Sequence, residues 1–239
     1  MQRSFQPVMT TIVLTAAMLL ACVPASADVL YLDDNGTHNL NSAVAEDDVY
    51  VENSTTANLL TGGSIGGYLE ALDDSTVNVS GGTIGRNLIA WNDSEVTVSG
   101  GTIVEDLDAN DSSTVNISGG SIGDYLSVRS NSTVTVSGGT FLDKLFAYHT
   151  STITIFGTGF NVGYGDYGTG NWTNGTTLTG TLADGTAFDN EVYIHSSATV
   201  TLAAPATAVP EPSSIAMFGI GALGLFGYGR RRRQTSAAA

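Results

Sequence analysis

Apolar residues in the middle of this chain come in short alternating bursts, and each burst returns after a fixed interval. Val77 and Val79 flank Asn78, and Leu88 and Ala90 flank Ile89. A period of two marks a strand whose apolar side chains point one way and whose intervening residue points the other. The pairs Gly62-Gly63, Gly81-Gly82, Gly100-Gly101, Gly119-Gly120 and Gly138-Gly139 recur every 19 residues, and Gly157 continues the series. Folding the chain on that period aligns five apolar columns. These are Leu69, Leu88, Leu107, Leu126 and Leu145; Ile65, Ile84, Ile103, Ile122 and Phe141; and Val77, Val96, Val115, Val134 and Ile153. The fourth is Leu60, Val79, Val98, Ile117, Val136 and Ile155, and the fifth is Ala71, Ala90, Ala109, Val128 and Ala147.

Strands of three or four residues cannot hold a sheet within one repeat. Stacked coils remove the difficulty, because each strand pairs with its equivalent one coil on, about 4.8 Å away, and the apolar columns become interior ladders. The pattern therefore predicts an all-β fold, a single-stranded parallel β-helix (β-solenoid) of about six 19-residue coils over residues 56–160. At the coil spacing this is a rod of about 29 Å. Residues 28–55 are expected to cap its N-terminal end, and a loop with further strands at 161–202 its C-terminal end. A small-residue linker follows at 203–209. A propeller needs longer units, and the spacings of leucine-rich and nine-residue calcium-binding repeats are absent.

The two ends read as addresses. Residues 1–27 have a positive start at Arg3, an apolar run from Val8 to Ala21 and an Ala25-Ser26-Ala27 cleavage site, the layout of a helical secretory signal. Leu19-Leu20-Ala21-Cys22 offers a rival, lipoprotein-type processing site. At the other end, Val209, Pro210, Glu211 and Pro212 precede an apolar stretch from Ile215 to Tyr228, then Arg230, Arg231, Arg232 and Arg233. The apolar stretch predicts a transmembrane-like helix, short against the roughly 20 residues of a full crossing, with the arginines on the cytoplasmic side. This order of Pro-Glu-Pro, Gly-rich apolar helix and Arg cluster over residues 210–234 resembles the PEP-CTERM sorting signal of bacteria. The resemblance implies recognition by an exosortase, cleavage near Pro-Glu-Pro, transient membrane anchoring and delivery to the cell surface or extracellular matrix, in bacteria that build extracellular polysaccharide.

Charge narrows the list of partners. The chain carries a formal net charge of −15. Between Asp28 and Val209 only Arg86, Arg129 and Lys144 are basic, against 22 acidic residues, so the body carries 3 − 22 = −19. Such a body repels phosphate backbones, which excludes nucleic-acid binding. Cys22, the single cysteine, lies in the leader, so the body has no thiolate or disulfide chemistry.

Candidate chemistry comes from stacking the repeats. Glu105, Asp124 and Asp143 fall in one outward column with Gly67 and Arg86, beside Asp106 in the next, so the four carboxylates form a candidate calcium site. An acid/base pair for a polysaccharide lyase or hydrolase is the weaker use of the same residues. His38, His149 and His195 have no metal-site spacing, and no nucleophile elbow, phosphate loop or dinucleotide fingerprint is present. Asn78, Thr97, Asn116, Thr135 and Thr154 form a polar outward ladder. Leu72, Trp91, Asn110, Arg129 and Tyr148 form a mixed one whose rings, Trp91 and Tyr148, suit sugar stacking. A Thr/Asn column on a β-solenoid also resembles the surface of ice-binding proteins, which use a two-dimensional array where one column is seen here. The reading is a non-enzymatic structural or adhesive surface protein that touches extracellular polysaccharide or surface proteins. A carbohydrate- or ice-binding module is the alternative.

Overall fold

The computed structural model describes residues 28–205. The expected signal segment 1–27 and the expected sorting tail, with the helices predicted in each, lie outside the described residues. The chain opens with β1 (Val29–Leu32), β2 (Thr37–Leu40), β3 (Asp48–Val51), β4 (Thr56–Leu59), β5 (Ser64–Ile65) and β6 (Leu69–Ala71). It then alternates long and short strands: β7 (Thr76–Ile84), β8 (Leu88–Ala90), β9 (Glu95–Ile103), β10 (Leu107–Ala109), β11 (Thr114–Ile122), β12 (Leu126–Val128), β13 (Thr133–Phe141) and β14 (Leu145–Ala147). It closes with β15 (Thr152–Thr158), β16 (Gly165–Tyr167), β17 (Thr176–Leu182), β18 (Ala187–Ile194) and β19 (Thr199–Ala203). Among the described residues no helix is long and apolar enough to cross a membrane.

The fold is a parallel β-solenoid. One face stacks β1, β3, β6, β8, β10, β12, β14 and β18, and each strand pairs in parallel with the next. A second face stacks β2, β4, β7, β9, β11, β13, β15 and β19 in the same way. Each face thus has eight rungs, two more than the six coils expected, because the stack continues into both expected caps. Residues 29–40 wind as the first coil. At the far end the chain leaves the stack after β15 and rejoins it in register, with Leu145 opposite Val192 and Thr152 opposite Thr199.

The excursion supplies the end closure. Strand β16 pairs antiparallel with β19, and β17 pairs antiparallel with β18, which covers edges that would otherwise template further strands. Phe188 meets Phe141 edge-on at 5.9 Å and seals the interior there. Asp184, in the β17–β18 turn, accepts the Gly139 N–H at 3.0 Å and ties the hairpin to the coils.

The interior is the set of ladders read from the sequence, all of them buried. One member differs. Leu59, not Leu60, lies opposite Val79, because the first of these coils carries an extra residue in the Leu60–Gly63 turn. Each long strand bends where its Gly-Gly pair breaks the register. The second glycine has a positive φ, +75° at Gly82 and +81° at Gly101, which an L side chain adopts only with strain. The opposite corner uses another device. Asn35, Asn53, Asp73, Asn92 and Asp111 all sit near φ +55°, a left-handed turn that Asn and Asp tolerate best.

Candidate functional site

The face built on β2, β4, β7, β9, β11, β13, β15 and β19 turns every second residue to solvent, since Val77 and Val79 and their equivalents fill the core. The ladder expected at Asn78, Thr97, Asn116, Thr135 and Thr154 is in register as drawn, and it extends through Asn58 to Asn39 and forward to Thr201. At its start the amides bond to one another, Asn58 Nδ2 to Asn39 Oδ1 at 2.8 Å and Asn78 Nδ2 to Asn58 Oδ1 at 2.9 Å. A parallel column that single-column reading missed lies two residues upstream: Thr37, Thr56, Thr76, Glu95, Thr114, Thr133, Thr152 and Thr199. Its sequence signal is the doublet Thr-x-Asn or Thr-x-Thr that opens most repeats, as in Thr114-Val-Asn116 and Thr133-Val-Thr135. Glu95 interrupts that column once.

The other face is chemically uneven. Its central outward column runs Tyr31, Tyr50, Glu70, Ile89, Asp108, Ser127, Phe146 and Tyr193. The Trp91–Tyr148 column lies along its margin, but Asn110, expected as an outward rung, is buried at 5% exposure. The rings of this face spend their flat sides on one another. Tyr148 stacks on His195 at 4.8 Å and 7°, with the Arg129 guanidinium 5.7 Å from the Tyr148 ring centre. Phe146 stacks on Tyr193 at 5.0 Å, and Tyr31 on Tyr50 at 5.4 Å. Stacking along the rod leaves ring edges, rather than faces, towards solvent. Trp91 stacks on no ring among the described residues, and its Nε1–H donates to Glu70 at 3.2 Å.

Two half-buried carboxyls sit in the central column, two rungs apart. Burial pushes the Glu70 carboxyl above its ordinary value, although hydrogen bonds from Trp91 and Tyr50 oppose the rise. Burial also pushes Asp108 up, against the pull of Arg129, whose Nη1 lies 3.2 Å from it. Two rungs separate them by about 10 Å, with Ile89 between.

The four expected cation ligands are stacked at one corner but do not converge. Backbone bonds order that corner, with the Asp124 N–H donating to the Glu105 carbonyl at 3.0 Å. Asp106 is committed to the Tyr125 N–H at 2.9 Å and to Asn87 at 3.4 Å. Asp143 lies 3.7 Å from Lys144 Nζ, and this charge raises the lysine above its usual range. Among the described residues no group of three or more carboxylate, histidine or cysteine side chains is placed to hold a metal ion. His38 is engaged with Asp34 at 2.8 Å, which holds that carboxyl below its usual range.

The expected sorting residues lie outside the described residues, so their evidence is in the sequence. Residues 208–233, which include Val209-Pro210-Glu211-Pro212 and the four arginines, match the PEP-CTERM protein-sorting motif. No curated protein and no solved structure matches the chain. The motif is the signal that an exosortase recognises, and it marks a protein for export and processing at the membrane. The chain thus carries a PEP-CTERM protein-sorting motif behind a β-solenoid body.

Proposed function

We infer that the chain is an exported, non-enzymatic rod that serves as a structural or adhesive component at the cell surface or in the extracellular matrix. The observation that carries this reading is the sorting motif set immediately behind the rod. The last strand ends at Ala203 and the motif begins at residue 208. A protein handed to an exosortase in this arrangement reaches the outside as a stiff, acidic prism that displays long lateral faces. The ring stacks support the same reading, because aromatic side chains that bind one another along a rod strengthen it and leave few open faces for a sugar. Partners are extracellular polysaccharide or surface proteins, engaged along the rod.

The test is binding of the purified full chain to the host's extracellular polysaccharide and to intact cells, with release of new sugar ends followed in parallel. Saturable binding without release is the expected result. Release that disappears in Glu70→Gln or Asp108→Asn would make the protein an enzyme. Absence of binding to both polysaccharide and cells would overturn the adhesive part of the reading.

A further inference from the structure

The two outward columns on the β2–β19 face differ from the central column of the opposite face in their monotony. Of the sixteen positions in the two columns, Glu95 alone is neither threonine nor asparagine. Strand propensity favours threonine at any exposed strand position, so it should enrich both faces alike. It does not: the equivalent column on the opposite face includes Tyr50, Glu70, Ile89, Asp108 and Phe146. The pattern also survives the excursion between β15 and β19. When the chain rejoins the stack it places Thr199 opposite Thr152 and Thr201 opposite Thr154.

The chemistry of this face is narrow. It is a flat lattice of hydroxyls, methyls and amides with steps of about 4.8 Å along the rod and about 6.6 Å along the strand, and eight rungs extend it over about 34 Å. Every strand but the terminal ones is paired on both sides, and the apolar ladders beneath fix the register, so the lattice is rigid. On the fifth to seventh rungs Thr114, Asn116, Thr133, Thr135, Thr152 and Thr154 make no side-chain hydrogen bond to any described residue, in contrast to Asn39, Asn58 and Asn78. Their polar groups are unspent. Along its two columns the face carries one charge, Glu95, on a body of −19, with the Asp166 carboxylate taking the Thr201 hydroxyl at the last rung, so the columns are not built for an ionic polymer. It has neither a groove nor, along its two columns, an aromatic ring, the concave and apolar features by which small ligands are held.

We propose that this face binds ice. Water held on hydroxyls and amides at two fixed repeats is already partly ordered, and a rigid array holds those waters without an entropy cost at each encounter. The threonine methyls sit between the polar groups and leave the bound layer little freedom to reorient. Adsorption then comes from many weak, simultaneous contacts over a flat crystal face, which matches an uncharged, ungrooved and repetitive surface. The proposal does not rest on the sorting motif or on any adhesive role.

The experiment uses the purified full chain. Its freezing–melting gap and its partition into a slowly grown ice fraction are measured for wild type, for Thr133→Tyr on the sixth rung of the face, and for Ile89→Tyr on the opposite face. Wild type and Ile89→Tyr are expected to open the gap and to concentrate in ice, and Thr133→Tyr to lose about tenfold in adsorption. Circular dichroism should stay unchanged, since residue 133 is exposed. If Thr133→Tyr fails to fold, the near-isosteric Thr135→Val serves in its place and is expected to weaken adsorption. No gap and no partition for wild type, or equal loss in Thr133→Tyr and Ile89→Tyr, overturns the proposal. Crystalline cellulose is the comparison surface: retention there without enrichment in ice, abolished by Thr133→Tyr, would reassign the face to an insoluble polysaccharide.

Discussion

Replacing Gly101 with alanine should separate two costs that the repeat imposes on its corners. The residue has φ +81°, and a Cβ placed on it would lie 2.6 Å from the carbonyl oxygen of Gly81 in the previous coil. The left-handed backbone costs an L-residue about 1–2 kcal/mol. The contact adds a packing penalty of about 1–3 kcal/mol, because the obstacle is backbone and gives way only if two coils part. Gly185 provides the comparison: its φ is +93°, but a Cβ there would meet nothing within 4 Å. Gly185→Ala therefore carries the first cost alone. A loss of roughly 3 kcal/mol for Gly101→Ala lowers Tm by about 6–12 °C, and roughly 1.5 kcal/mol for Gly185→Ala lowers it by about 3–6 °C. Thermal melts by circular dichroism, with urea titration of the same variants, provide the measurement. Amide exchange should place the Gly101→Ala damage in the neighbouring coils, since each coil contacts only its neighbours. Equal losses for the two variants would refute coil spacing as the constraint, and a neutral Gly101→Ala would refute both costs.

Other perturbations test separate parts of the account. Ser75, Ser94 and Ser113 form a buried column whose hydroxyls have no hydrogen-bond partner, while Ser132 in the same column donates to the Ala109 carbonyl at 3.1 Å. In denaturant titrations Ser94→Ala should be neutral or slightly stabilising, and Ser132→Ala should cost about 1 kcal/mol. Tyr148→Ala should cost about 1–2 kcal/mol of stability by removing the His195 stack and the Arg129 contact, and it should leave affinity for soluble sugars unchanged by titration calorimetry. Glu70 has its folded value raised above its unfolded one, so its ionisation opposes folding: its contribution is fully present below the unfolded range, near pH 4, and is lost as pH rises through the raised folded value. Glu70→Gln should therefore gain Tm relative to wild type as pH goes from about 4 to 7, and a gain that is constant across that range would contradict the assignment.

Most of the architecture was legible because repetition turns a weak signal into a strong one. A single Val-x-Val is ambiguous, but Val77, Val96, Val115 and Val134 at one spacing define a ladder, and the Gly-Gly pairs fix the phase. Reading stopped where the period stopped. The first coil reads as a cap because Leu32 and Val51 stand outside the Gly-Gly frame, and Leu60 reads as inward because a 19-residue period cannot show a coil that carries one residue more. The final rung was invisible for the same reason, since Val192 and Val200 follow an excursion of unrelated sequence. Surface chemistry was less legible still. Tyr148 looks available to a sugar until His195, 47 residues on, is found against its ring. Glu105, Asp106, Asp124 and Asp143 share a corner, but alignment of residues does not aim their carboxylates at one point.

The central claim is that an exosortase handles this protein on its way out of the cell, and the most direct measurement is the identity of its C-terminus outside. Surface and culture fractions of the native host would be digested and the terminal peptide sequenced by mass spectrometry. A protein that ends near Val209–Pro212, with no peptide from Arg230 onward outside the cell, is the predicted result. An intact chain ending at Ala239, found in the cytoplasm or unchanged in a host without its exosortase, would contradict the account.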